Sequence, residues 1–328
     1  MSVITLANLL ITYLVGIATV QDLGRQGYRG LGVPVSGVLD VLSASYANAL
    51  VGNEVSAALI EFTGSITLRA DKDLVVAVTG GLPKVYVDQY EVPSWRPIYL
   101  KSGKELVVRP SDRGNIHYVA VSGGIECESV LGSKSTYVRG GFGCLGRPLR
   151  VGDTLLVPDV NVESLWSRVY SLIPATNPGE RVPKRDEVLV LRATKGVHAE
   201  QLQDLETLLK SEYVVTLESD RMGYRLDGPP LTSASRLGRL PSIPTDRGYV
   251  QVPPDGKPIV LMSDAQTTGG YAVALHVVPP DIGVLAQVRP GHRVRFVEVS
   301  VEDAERLTSS YLNEVEKPKL ALEESWEY

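Results

Sequence analysis

Three polar, glycine-rich clusters hold most of the residues of this chain that could do chemistry. The first, TVQDLGRQGYRGLGVPVSGVLD (19–40), gathers Gln21, Asp22, Arg25, Arg29, Ser36 and Asp40 around glycines and a proline. Glycine-rich backbone leaves N–H groups free to approach an anion, and a helix N-terminus is expected at about residue 37. Arg25 offers a planar fork that can grip a carboxylate or phosphate. A structural loop with a serine cap and an Arg–Asp pair fits the same residues. The second cluster, SGGIECESVLGSKSTYVRGGFG (122–143), sets Ser133, Ser135, Thr136 and Tyr137 between glycine pairs, with Lys134 and Arg139 nearby. It reads either as a phosphate-facing loop or as turns alone. The third, YVQVPPDGKPIVLMSDAQTTGGY (249–271), ends an apolar run in Asp264, Gln266, Thr267, Thr268, Gly269, Gly270 and Tyr271. Consecutive small polar residues after a buried strand do not serve core packing. Their expected chemistry is the binding of an amide or an anion at the mouth of a barrel. Arg221 and Arg225, in SDRMGYRLDGP (219–229), either order a loop or cover an acidic substrate.

Other signatures exclude more than they assign. The histidines, at 117, 198, 276 and 292, include no i, i+4 pair, and Cys127 and Cys144 are too few for a disulfide framework or a four-thiolate zinc site. No metal is expected. His117 and His276 lie in apolar strand patterns and read as core histidines; His198 is the better candidate for acid–base work. Gly141, Gly143 and Gly146 form a G-x-G-x-x-G that runs into RPLRVGD instead of a helix, which argues against dinucleotide binding. GSKS (132–135) lacks the upstream glycine of a phosphate loop, and no lysine stands between methionines, so no biotin attachment site is expected. The net charge is −5, with 33 Lys and Arg against 38 Asp and Glu, the opposite of a nucleic-acid binder. Residues 3–20 carry no charge, but no basic residue precedes them and Asn8, Thr12 and Tyr13 interrupt them. They read as buried strand, not as a signal or membrane span. With so few cysteines, a reduced cytoplasmic location is expected.

The elements that must position these clusters are mostly short strands. VVAVTGG (75–81), KVYVD (84–88), IYL (98–100), ELVVR (105–109), IHYVAVSGG (116–124), TLLV (154–157), VLVLRA (188–193), YVVTL (213–217), PIVLM (258–262) and VRFVEV (294–299) are rich in β-branched residues. They follow too closely on one another for helical crossovers. SGKELVV (102–108), VGDTLLV (151–157) and PGHRVRFV (290–297) each put a glycine turn before a strand, as a repeated hairpin entry would. PPDG (253–256) reads as a tight hairpin turn. Helices are expected over 38–51, capped by Ser36 and Gly37 and stopped at Gly52, over 199–210, and over 301–316. The resulting division is a first β module over 1–160, a Pro-rich polar linker over 161–187, a second β module over 188–300 and a helical, acidic tail over 301–328.

With ANALVGN (47–53) and LAQVRPGHRVRF (285–296), these clusters resemble the allophanate hydrolase subunit 2 family, from about residue 15 to 298. The resemblance implies cyclophilin-like barrels, so the expected fold is mainly β, with two cyclophilin-like β-barrel modules and a few short helices. It implies the role of the C-type component of an ATP-dependent 5-oxoprolinase, an enzyme active only as a complex with an A-type subunit and a B-type subunit, the latter allophanate hydrolase subunit 1-like. That complex opens 5-oxo-L-proline to L-glutamate, with ATP bound by the complex if not by this chain. Two alternatives belong to the same family: the carboxyltransferase half of a biotin-dependent urea amidolyase-like system, and a Kip-type regulatory binder without enzymatic activity. On this reading Arg25 holds the substrate carboxylate and Asp22 or Asp40 orients it. Gln266, Thr267, Thr268 and the backbone of Gly269 and Gly270 meet the amide or oxyanion. Gln21, Ser36, Ser135, Tyr137, Arg221, Gln251 and Tyr271 complete the substrate contacts. The family's Pro-Gly-Pro-His-Ala-Asp segment stands here as ATKGVHAEQL (193–202), and the stretch before QVPPDG is PSIPTDRGYVQ. Specificity could differ at both places.

Overall fold

Alternation of buried and exposed side chains shapes most strands, and it is clearest where one face meets solvent. Glu105–Arg109 and Thr154–Pro158 each bury every second residue. The computed structural model describes residues 6–323, which form two compact units. Unit 1 takes the chain through Gly24, then Asp40–Val182 and the residues from Glu314; unit 2 takes Arg25–Leu39 and Pro183–Asn313.

The strands of unit 1 are β1 (Leu6–Val15), β2 (Ala18–Gln21), β3 (Leu59–Thr63), β4 (Ser65–Ala70), β5 (Leu74–Thr79), β6 (Lys84–Val87), β7 (Tyr90–Val92), β8 (Pro97–Leu100), β9 (Glu105–Arg109), β10 (Ile116–Val121), β11 (Thr154–Pro158) and β12 (Leu172–Pro174). One sheet runs β11-β1-β4-β9-β6-β7 and the other β2-β3-β10-β5-β8. Leu9, Ile11, Leu68, Leu106 and Val108 of the first share a core with Ile60, Phe62, Val76, Val119 and Val121 of the second. Every residue of β5 and of β10 is buried, because the far side of their sheet carries the helix α1 (Val41–Leu50).

Unit 2 closes on itself. Its strands β13 (Leu189–Lys195), β14 (Glu212–Val215), β15 (Gly223–Asp227), β17 (Tyr249–Val252), β18 (Ile259–Leu261), β20 (Ala272–Val277) and β21 (Arg293–Glu298) form a barrel in the order β13-β20-β17-β18-β15-β14-β21. A parallel β13–β21 pairing closes it, and the other pairings are antiparallel. A short pair, β16 (Ile243–Pro244) with β19 (Thr268–Gly269), stands outside the barrel. The class is therefore mainly β, with a closed barrel and few helices. The three repeated turns are real: Gly103, Gly152 and Gly291 each take positive φ with open space around them, directly before β9, β11 and β21. PPDG makes the β17–β18 hairpin, with the Gly256 N–H donating to the Pro253 carbonyl.

Several expectations change. The helix expected over 38–51 starts at Val41, and its cap is Asp40, whose carboxylate accepts from the Ser43 N–H and hydroxyl. Ser36 cannot cap it: its φ is +57°, outside the extended region a cap needs. The helix expected over 199–210 breaks into a 3-10 turn, Ala199–Gln201, and α3 (Leu205–Lys210). Between them Asp204 turns its carboxylate to Thr232 and Ser233 at the start of α4 (Thr232–Leu237).

The stretch 161–187 is no bare linker. It holds α2 (Val162–Val169), capped by Asn161 and burying Leu165 and Val169, and it belongs to unit 1 as far as Val182. Its polar, Pro-rich composition hid an i, i+4 apolar pair. Beyond α5 (Pro279–Gln287), the helix α6 (Val301–Glu316) forms over the expected span and buries Tyr311 and Val315, with Ala304 and Leu307 half-buried. The following residues are not all solvated tail, since β22 (Leu320–Leu322) pairs with β12; residues 324–328 lie outside the described residues. The uncharged run 3–20 folds as β1 and the start of β2, with 3–5 outside the described residues. Among the described residues no helix is long and apolar enough to cross a membrane.

Candidate functional site

The third cluster becomes a loop braced on two sides within unit 2. After β18, the Asp264 N–H donates to the Arg221 carbonyl and the Thr267 carbonyl accepts from the Thr245 N–H. Thr245 Oγ1 also donates to the Gln266 carbonyl. Leu240 donates its N–H to the Gly270 carbonyl, and Ile243–Pro244 pairs with Thr268–Gly269. Residues 240–245 thus form a strap along the loop. The strap explains the glycines: a Cβ at Gly270 would lie 2.7 Å from the Leu240 carbonyl oxygen. The Gly270 carbonyl is consumed in this bracing, so the glycine pair serves close approach as much as ligand contact. Thr268 and Tyr271 remain exposed.

Beneath the loop lies Gln251, 2% exposed. The register of β17 against β20 shifts between Val250 and Gln251, the local irregularity that re-aims a strand residue. Gln266 Nε2 donates to Gln251 Oε1 at 3.0 Å, while Gln251 Nε2 is buried with no partner among the described residues. A Cβ at Gly269 would fall 2.6 Å from that Nε2.

On its other side the loop meets the segment 25–39. Ser36 donates its N–H to the Ser263 carbonyl (3.0 Å), and Ser263 Oγ donates to the Val38 carbonyl (3.2 Å). Arg221 forks onto Asp264 (2.8 and 3.1 Å) and gives its remaining reach to the Gly37 carbonyl at 2.6 Å. Arg247 donates to the carbonyls of Val38 and Leu39. Arg221 is therefore an internal clamp and not an open cation. Ser36 combines a left-handed backbone with a buried hydroxyl that has no partner among the described residues. A non-glycine residue held there costs free energy and clusters at functional positions. Arg25 is only 1% exposed, its N–H donating to the Val35 carbonyl, so it does not stand open to solvent.

In unit 1 the first and second clusters meet at Asp22. Its Oδ1 accepts from the Gly24 N–H (2.8 Å), Ser133 Oγ (2.6 Å) and Ser135 Oγ (2.5 Å), and its Oδ2 from the Lys134 N–H (2.6 Å). Ser135 Oγ in turn accepts from the Asp22 N–H. The hydroxyls expected to face a ligand are spent on holding two loops together. Gln21 is fully buried, donating to Thr19 Oγ1 and the Thr136 carbonyl. Tyr137 packs edge-on against Phe142. Asp40, the helix cap, also donates its N–H to the hydroxyl of Tyr118, which donates to Glu61. Cys127 and Cys144, too few for a disulfide framework and read as fitting a reduced location, are joined in a disulfide across this second loop.

Known proteins share this chain's pattern over most of its length. A model of the carboxyltransferase domain, subdomains A and B, matches residues 31–298. The chain belongs to the carboxyltransferase domain family. It is similar to the C-type subunit of 5-oxoprolinase from Haemophilus influenzae, 34% identical over 92% of this chain and 95% of that one. The corresponding 5-oxoprolinase subunit of Escherichia coli is 35% identical over 87% of this chain and 89% of that one. Among solved structures, the K. lactis urea amidolyase matches 94% of this chain with a TM-score of 0.82 at 26% identity. The chain spans 20% of that enzyme's length.

Within this carboxyltransferase domain the expected site residues fall into two groups. Arg25, Ser36, Arg221, Gln251, Gln266, Thr267, Thr268, Gly269, Gly270 and Tyr271 belong to unit 2, and Gln21, Asp22, Asp40, Ser135 and Tyr137 to unit 1. Sequence reasoning missed Thr245 and its strap, whose partners lie more than twenty residues downstream. It missed the buried Glu61–Tyr118 pair too, because a carboxylate inside a strand pattern reads as a solvent-facing residue. His198 accepts the Val273 N–H on Nδ1 at 3.0 Å, and loss of hydration pushes its pKa down from 6.5. That makes it a neutral backbone partner and not a free base.

Proposed function

We propose that this carboxyltransferase domain is the C-type subunit of an ATP-dependent 5-oxoprolinase and works only in complex with A- and B-type subunits. The observation that carries the reading is similarity to two bacterial 5-oxoprolinase subunits of that type across nearly the whole of both chains. The braced loop 263–271 supports it, since a buried glutamine paired with a half-buried one beside exposed hydroxyls suits a small polar amide. A lactam is a poor electrophile. Phosphoryl transfer from ATP to its oxygen, with ADP leaving, opens the ring carbon to water; the C–N bond then breaks with a proton going to the nitrogen, and phosphate departs on hydrolysis. On this reading Gln251, Gln266 and Thr268 orient the amide, and Ser36 offers a hydroxyl at the far end of the loop. ATP is a substrate of the assembled complex.

The test is reconstitution with A- and B-type subunits, 5-oxo-L-proline and ATP. Release of L-glutamate coupled to ATP hydrolysis supports the reading; no release with all subunits present overturns it. The likeness to K. lactis urea amidolyase favours a second reading, half of a biotin-dependent carboxyltransferase. Under that reading turnover requires a biotinylated carrier and not ATP plus lactam.

A further inference from the structure

The glutamine pair allows a more specific assignment, which rests on the amide-handling reading above. We propose that Gln251 reads the carbonyl oxygen of the substrate: its free carboxamide N–H donates to a lactam or amide oxygen bound at the loop. The residue is nine-tenths buried and more, yet Nε2 has no partner among the described residues. A buried amide donor left unpaired costs about 1–3 kcal/mol, which a ligand acceptor recovers on binding. Gln266 decides which end is offered. Its Nε2 occupies Gln251 Oε1, so the end left over is the donor.

Gly269 lets the carboxamide lie directly against the backbone of the loop, because any side chain there would start 2.6 Å from the same nitrogen and 3.1 Å from Thr245 Cγ2. The strap then holds Gly269 in register through the Ile243 pairing. Donor and orienting partner come from two separate segments, β17 and the loop, an arrangement that core packing alone does not require. The group recognised is a neutral carbonyl oxygen on a small ring or amide. A ring of the same shape without the oxygen leaves the donor unpaired and is disfavoured.

Gln251→Glu tests this with little change in shape. At pH 8 the carboxylate still accepts from Gln266 but has no proton to donate. In the reconstituted complex the KM for 5-oxo-L-proline is expected to rise about 10- to 100-fold. Inhibition by L-proline, which has the ring and carboxylate but no ring carbonyl, should stay within about twofold. A KM unchanged by the substitution, or an equal loss for L-proline, overturns the proposal. Gly269→Ala, whose methyl would push against the Gln251 carboxamide while leaving that group in the chain, should reproduce the selective loss.

A second measurement separates this proposal from the assigned activity. The full chain alone, labelled with nitrogen-15, is titrated with 2-pyrrolidinone and with pyrrolidine, following the Gln251 side-chain amide resonance. A shift with the lactam alone supports the proposal even if the complex makes no glutamate. No shift, or equal shifts with both, overturns it even if the complex turns over.

Discussion

Replacing Asp22 separates chemistry from architecture. As a catalytic orienter its loss should cripple turnover and spare the fold; as a hub it should do the reverse. The carboxylate accepts four hydrogen bonds, two from the backbone N–H groups of Gly24 and Lys134 and two from the hydroxyls of Ser133 and Ser135. Asp22→Ala removes both acceptor oxygens and with them all four hydrogen bonds. The hydroxyls can rotate, and Ser133 Oγ keeps the Ser135 N–H, so their loss is partly recovered. The two backbone donors cannot turn elsewhere, and each costs about 1–3 kcal/mol if left unpaired. A total of about 3–4 kcal/mol lowers the melting temperature by roughly 8–15 °C for a unit of this size. Asp22→Asn should cost about half as much, because only the Oδ2 acceptor is exchanged for a donor facing the Lys134 N–H. Scanning calorimetry measures both, alongside kcat of the reconstituted complex at a temperature where each variant is folded. An Asp22→Ala protein that melts with the wild type yet loses more than about 100-fold in kcat would refute the hub and restore the catalytic role.

The other consequences are smaller. The Cys127–Cys144 bridge closes a loop with a sequence separation of 17, so reduction or Cys127→Ser should remove about 3 kcal/mol from unit 1. Two titratable thiols in unreduced, denatured protein would show that the bridge does not form. Arg221→Met strands the buried Asp264 carboxylate and frees the Gly37 carbonyl; a loss of about 3–5 kcal/mol is expected, and a urea midpoint equal to the wild type would contradict the clamp. Burial lowers the pKa of His198, His276 and His292 from 6.5, so the unfolded chain takes up protons first on acidification. Stability should therefore be full above pH 6.5 and fall below it. His198→Asn, which retains an acceptor for the Val273 N–H, should flatten that slope, and an unchanged slope would remove His198 from the account.

How much of this could be read from one dimension follows from the range of each interaction. Strand positions were legible because alternation and punctuation are local: Glu105–Arg109 forms as its composition predicts, and Gly103, Gly152 and Gly291 turn the chain where their repeats place them. The polarity of the loop 263–271 was legible too, since a run of hydroxyls and glycines after an apolar strand has no packing role. Partnership was not legible. Ser135 and Asp22 are 113 residues apart, and nothing near either says that the hydroxyl is spent on the carboxylate. Arg221 and Asp264 look like two reactive charges until the barrel sets them 2.8 Å apart. The orientation of Gln251 depends on a register shift in β17, on Gln266 and on the room left by Gly269, none of which a residue's type encodes. Residue type and local period determined which groups were available and which stretches became strands. Only the closing of the sheets decided which polar atoms neutralise one another and which buried donor is left over, because that choice depends on contacts between segments far apart along the chain.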